Sequence, residues 1–189
     1  MITPLKRTYY LDELFDVVTN LPDWTSKKEI ESIVFTDEIS DGRLWKYAVS
    51  GTPNHKASIV DSISSSPLNS LMIHSKGITT GYSYWSYSLN PEDIEVGSAL
   101  VLKIKAEGLT AGGAFFAFRA DTNGADNSIF FYTTHGHPVV GTTAFGESEY
   151  SIRVNYFPSG VDELKTFLIM DGASSGTVFF DDIQLLKYQ

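Results

Sequence analysis

Two adjacent carboxylates near the C-terminus carry the clearest chemical consequence in this sequence. In Gly176-Thr-Val-Phe-Phe-Asp181-Asp182-Ile-Gln-Leu185 an extended strand puts Phe179, Asp181, Ile183 and Leu185 in phase on one face. If Ile183 and Leu185 are core, so is Asp181, and an ionised carboxylate inside a protein needs a partner. That partner is a set of backbone N–H groups, a guanidinium such as Arg43, or a hard cation with oxygen ligands such as calcium, unless a bulge at the Asp pair turns the side chain out. His135-Gly-His137 places two imidazoles at strand spacing, half of a metal site, but with no third ligand nearby the plainer reading is two loop histidines before Pro138. Asp121-Thr-Asn-Gly-Ala-Asp126-Asn127 looks like a calcium loop, yet it lacks the closing glutamate and flanking helices of an EF-hand, and a polar turn explains it equally well. Neither a nucleophile elbow, a phosphate-cradling glycine loop nor a His-Glu-x-x-His is present, and the 23 acids supply no carboxylate pair that spacing alone would place across a cleft. The sequence therefore reads as a binding protein, not an enzyme.

The elements that hold these residues are strands. From residue 33 onward short apolar runs alternate with polar residues and are punctuated by Gly, Pro, Asn and Ser. The pattern predicts strands at 33–39, 44–50, 57–64, 70–75, 82–89, 99–106, 113–120, 128–134, 150–157, 164–170 and 176–187. Leu100, Leu102 and Ile104 fall on one face with Lys103 and Lys105 on the other, as do Ile152, Val154 and Tyr156 against Ser151, Arg153 and Asn155. No sustained amphipathic helix follows, which argues against βαβ units. Residues 1–32 differ: Leu11, Leu14, Phe15 and Val18 have helical spacing, stopped by Asn20, Pro22 and Asp23, with a further helical turn around 26–33. The expected organisation is a short amphipathic helix on an N-terminal extension (1–32), followed by an all-β domain (33–189), an antiparallel two-sheet sandwich.

Composition narrows the partners. With 42% hydrophobic, 13% aromatic and only 20% charged residues, the 189-residue chain can bury one core. A net charge of −9 without a basic run disfavours nucleic acid and anionic membranes, and no eighteen-residue apolar stretch is available to span a bilayer. The absence of cysteine leaves the redox compartment unread.

The ending Gly-x-Val-Phe-Phe-Asp-Asp-Ile-x-Leu resembles the final strand of jelly-roll carbohydrate-binding modules and related galactose-binding-like domains. Ser70-Leu-Met-Ile73 is similar to an early strand of that family, Trp85-Ser-Tyr-Ser-Leu89 to its Trp-bearing strand, and 150–170 to the two strands before the ending. The resemblance covers 33–187 and implies a jelly roll that holds a polysaccharide while another domain or protein acts on it. It also implies a structural calcium between Asp181 and an acid near the first strand: Phe15-Asp16 is the better local match to the family's Phe-Glu pair but lies too far from the rest of the domain, and Asp37 in Phe35-Thr-Asp37-Glu38, one or two places late, is the better placed candidate.

A sugar site needs flat apolar faces for pyranose C–H groups and planar hydrogen-bonding side chains for hydroxyls. Gly81-Tyr-Ser-Tyr-Trp-Ser-Tyr87 offers Tyr82 and Tyr84 on one face, with Trp85, Tyr87 and Leu89 on the other, the phase that continues into core. The candidate ligand residues are Tyr82, Tyr84, Trp85, Trp45, Tyr47, Arg119, Asn127 and Tyr132. For any one of them, filling or covering the sandwich is the plainer role. The rival reading is an attachment protein of a larger assembly, a virion or cell-surface complex, docked to protein partners through 1–32 and the stripe Leu11, Leu14, Phe15, Val18. The first reading implies an extracellular or cell-surface setting after removal of a signal; the second implies an assembled particle.

Overall fold

A computed structural model of the chain describes residues 30–37, 39, 44–66, 68–122, 127–147 and 149–188. The expected N-terminal helix lies outside these residues. Eleven strands follow in chain order: β1 (Ile30–Asp37), β2 (Lys46–Gly51), β3 (His55–Val60), β4 (Ser70–Ser75), β5 (Gly81–Leu89), β6 (Ala99–Thr122), β7 (Asn127–Thr133), β8 (Val139–Thr143), β9 (Glu149–Val154), β10 (Glu163–Asp171) and β11 (Gly176–Tyr188). No helix among the described residues is long and apolar enough to cross a membrane.

The pairing is antiparallel throughout and resolves into two layers joined by one strand. The first sheet runs β2-β5-β10-β6-β7 and uses residues 114–122 of β6. The second runs β3-β4-β11-β6-β9 and uses residues 99–109 of the same strand, with β1 beside the C-terminal part of β11 and β8 beside the middle of β6. This is the jelly-roll sandwich expected, with two differences. The strands expected at 99–106 and 113–120 are one, because Thr110 (φ 50) and Gly113 (φ 141) bend the backbone without ending the ladder. Gly176 makes the bend possible from the other side: a Cβ there would lie 2.0 Å from the Thr110 carbonyl oxygen. The second difference is β8, a run of only five residues whose weak apolar alternation gives no strand signal.

Alternation decides the core. Leu100, Leu102, Ile104 and Ala106 of β6 point inward, as do Trp85 and Leu89 of β5, Leu164, Leu168 and Met170 of β10, and Leu71 and Ile73 of β4. Phe116 of the first sheet meets Phe180 of the second edge to face at 5.6 Å, so the two layers are locked through aromatic rings. Tyr156, expected inward, is 63% exposed, since β9 ends at Val154.

The last strand also departs from its expected phase. Val178 and Phe180 face the core, and Phe179 is buried on the outer side. A bulge between Asp181 and Gln184, with Asp182 at φ 48, then restores Ile183 and Leu185 to the core. Asp181 therefore pairs opposite outward-facing Lys105, yet it is fully buried because Ser65 and Ser66 cover it.

Candidate functional site

The outer face of the first sheet carries aromatic side chains where a face meeting only water carries polar ones. Across β5, β10 and β6 the register places Tyr84, Ile169 and Phe115 in one row. The next row is Ser86, Phe167, Ala117 and, on β7, Thr133; the next is Lys165, Arg119 and Phe131. Strand alternation sends all of these to the same side, since Trp85, Leu168, Phe116 and Phe118 occupy the opposite phase in the core.

Most of these side chains, with Tyr82 on β5 and His135 after β7, line a groove of about 420 Å³. Small residues flank the floor: Ala117 is fully buried between larger neighbours. Tyr82 and Tyr84 lie with ring centroids 6.0 Å apart, and Tyr84 meets Phe167 edge-on at 5.5 Å. On the far side His135 stands edge-on to Phe115 at 4.9 Å. The result is a trough with an apolar floor and hydroxyl, imidazole and guanidinium groups at its margins, the combination that binds a flat ligand with polar edges.

Charge is confined to one end. Arg119 Nε donates to Asp121 Oδ1 at 2.8 Å, and Asp121 is almost wholly buried, so the guanidinium is anchored rather than swinging. Lys165 pairs with Glu163 on the same face. Among the described residues no carboxylate lines the groove itself; its titratable side chains are the two tyrosines, Arg119 and His135.

Three of the eight residues named from the sequence, Tyr82, Tyr84 and Arg119, come together here. The others do not. Trp85 is 7% exposed and faces the core, donating its Nε1–H to the Met72 carbonyl of the opposite sheet at 3.2 Å. Trp45 is 3% exposed, with its ring 5.4 Å from Tyr87. Tyr47 is half-buried against Trp85 at 5.3 Å. For both tryptophans and Tyr47 the placement has one cause: a large ring at an inward position gains by leaving water. Tyr132 lies on the other side of β7 from Phe131, stacked on Phe130 at 5.3 Å, and Asn127 is exposed at the start of β7, away from the trough. The floor residues Phe115, Phe167 and Ile169 and the wall residue Phe131 are not among the sequence candidates. Their signal is apolar residues on both phases of a strand, as in Phe115-Phe116 and Phe167-Leu-Ile-Met170.

The two acids expected to hold calcium are engaged otherwise. Asp181 Oδ2 accepts from the Ser65 and Ser66 N–H groups, each at 2.8 Å, and its Oδ1 accepts the Asp182 N–H at 2.8 Å, with the Ser66 hydroxyl at 3.0 and 3.1 Å from the two oxygens. Asp37 Oδ1 accepts from Ile39 N–H and Oδ2 from Trp45 Nε1–H, both at 2.8 Å. Both oxygens of each acid thus have hydrogen-bond donors from the chain itself. Among the described residues no three His, Asp or Glu side chains gather as a metal site, His135 and His137 included. Burial raises the Asp181 pKa, and the Ser66 and Asp182 donors pull it part of the way back.

No family model and no curated protein matches the sequence. Solved structures do match. The enzymatically active domain of bacteriophage CBA120 tailspike protein 4 superposes with a TM-score of 0.59 at 14% identity over 79% of this chain, which spans 20% of the tailspike chain. The CBM22-1 xylan-binding domain of Paenibacillus barcinonensis Xyn10C gives 0.53 at 11% identity, covering 84% of this chain and 96% of that one. A family 11 carbohydrate-binding module from Clostridium thermocellum, in complex with a β-1,3-1,4-mixed-linked tetrasaccharide, gives 0.52 at 18% identity over 79% and 92%. At such identities what is shared is the fold, the jelly roll of carbohydrate-binding modules.

Proposed function

We propose that this chain is a non-catalytic carbohydrate-binding module whose glycan lies in the groove on the outer face of the first sheet. The observation that carries the reading is the trough itself, with Phe115, Phe167 and Ile169 as floor and Tyr82, Tyr84, Thr133 and Arg119 at its margins. Such a floor stacks against the C–H face of a pyranose while the margins reach its hydroxyls. A groove lined by no carboxylate among the described residues holds no acid–base pair for glycoside cleavage, which favours holding over cutting. In this reading Asp181 and Asp37 are hydrogen-bond acceptors that fasten the 61–66 loop and Trp45, and the module works outside the cell, where its polysaccharide is.

Titration calorimetry against soluble xylan, mixed-linkage β-glucan, glucomannan and host glycans tests the reading. Binding to at least one, weakened about tenfold or more in Tyr84→Ala, is the expected result. Silence across the panel, or unchanged affinity in Tyr84→Ala, sinks it.

A second reading, favoured by the fold shared with the tailspike domain, makes the sandwich the glycan-contacting head of a larger particle docked through residues 1–32. Light scattering separates the two. Deletion of residues 1–29 leaves the mass of the species in solution at one chain under the first reading, and dissolves an assembly under the second.

A further inference from the structure

Strand β5 has two sides with different tasks. Its front side chains, Tyr82 and Tyr84, form one wall of the groove, while the residues between and beside them, Ser83 and Trp85, face inward and bond to the other sheet. Trp85 Nε1 donates to Met72 O on β4 at 3.2 Å, and Ser83 Oγ lies 2.6 Å from His55 Nδ1 on β3, the outermost strand beside β4. Ser83 is fully buried, and it sits between the two tyrosines of the wall. That wall, held laterally by ladders to β2 and β10, is thus also tied from behind to a histidine of the opposite sheet.

The histidine is poorly equipped to carry a charge. Its Nε2 is buried and has no hydrogen-bond partner among the described residues. In the neutral ring this leaves one weak group unmatched; in the imidazolium it leaves an N–H⁺ without acceptor. Asp171 at the end of β10 offers partial compensation, His74 on β4 opposes it, β5 presents only Ser83, and Lys56 lies on the next residue of β3, opposite His74 in the ladder. Burial outweighs the field of Asp171, so the His55 pKa falls below the ordinary histidine value.

We propose that His55 is a positioning residue for the groove: neutral, it holds Ser83 and braces the Tyr82–Tyr84 wall, and its protonation in mildly acidic solution, which leaves a buried Nε2–H⁺ without an acceptor, drives the ring from that place and weakens glycan binding. The binding part of this inference rests on the glycan reading above; the release of the wall does not. The sign follows from linkage. A histidine with a lowered folded-state pKa binds its proton more readily in the open form, so its support of the wall is complete above about pH 6.5 and is lost as pH falls toward the lowered value.

The test uses the full chain and the variants His55→Gln, which keeps a hydrogen-bonding group toward Ser83 without titrating, and His135→Gln, which removes the titratable group on the groove margin. Affinity for xylan or mixed-linkage β-glucan is measured at about pH 7.5 and about pH 5. Wild type and His135→Gln are expected to lose affinity roughly fivefold at the lower pH, while His55→Gln stays flat. A pH dependence that survives in His55→Gln, or that disappears in His135→Gln, overturns the proposal. Amide exchange of Tyr82, Ser83 and Tyr84 in the absence of glycan, taken as the wild-type to His55→Gln ratio at each pH, is expected to rise on acidification. A constant ratio also overturns it. If no glycan binds at any pH while the ratio rises, the glycan reading fails and the pin stands.

Discussion

The two outer faces of the sandwich, although built in part from one strand, have opposite chemistry. Along residues 99–109 of β6 the outward side chains include Lys103, Lys105 and Glu107, and the second sheet pairs the lysines with acids: Lys103 with Glu149 at 2.9 Å and Lys105 with Asp182 at 2.6 Å. Along 114–122 the outward side chains are Phe115, Ala117 and Arg119. The first pattern is that of a stretch whose charged side chains reach water, and its short-range ion pairs add little stability. The second leaves rings half-covered along a trough, the face on which the proposed glycan site depends. Within one strand, the outward residue type changes from charged to aromatic between residues 107 and 115.

The largest way to disturb this division lies under the second sheet. Asp181→Ala removes the acceptor for the Ser65, Ser66 and Asp182 N–H groups at once, and with them the loop that seals the bulge. We expect about 3 kcal/mol of destabilisation in urea unfolding, with calcium and a chelator leaving the midpoint of the wild-type protein unmoved; a chelator-sensitive midpoint would return a cation to Asp181.

Next in size are the groove variants. Phe167→Ala and Tyr84→Ala should each weaken glycan binding about tenfold or more, whereas Lys103→Ala on the other face should leave affinity unchanged. Equal losses on both faces would erase the contrast between them.

A smaller effect is the pH dependence carried by Asp181. Because burial raises its pKa, the folded protein keeps the proton to higher pH than the unfolded chain does. Its contribution to stability is full below the ordinary carboxylate value and declines as pH rises through the raised one. The melting temperature of wild type relative to Asp181→Asn should therefore be higher at about pH 3.5 than at about pH 7, and an equal difference at both pH values would show that Asp181 does not titrate this way. Smallest of all, breaking the Lys103–Glu149 pair with Glu149→Gln should change stability by about 0.5 kcal/mol or less, and the same change should shrink further in high salt.

What the sequence discloses of this design follows from alternation. Where one phase is apolar and the other charged, as at Leu100 to Lys105, or where polar residues separate rings, as in Tyr82-Ser-Tyr84, the faces can be told apart from the order of residue types alone. Where both phases are apolar they cannot. Phe115 beside Phe116, and Phe167 to Met170, read as core on both sides, and only the placement of β10 in the middle of the first sheet shows that one of those sides is the groove floor. Trp45 and Trp85 enter the candidate site by residue type, although the phase of Trp85 already points inward. The bulge at Asp181 and Asp182 is legible only as an alternative, because whether a strand keeps or shifts its register depends on what the neighbouring strand offers. The pairing of His55 with Ser83 joins residues 28 positions apart and has no local signature at all.

The continuity of β6 through both layers also governs how the molecule can fail. The turns β2–β3, β4–β5, β9–β10 and β10–β11 cross between the layers as loops, whereas between Thr110 and Gly113 the chain crosses inside a strand whose ladder continues on both sides. Load on either layer therefore passes to the other along the β6 backbone without first leaving a strand.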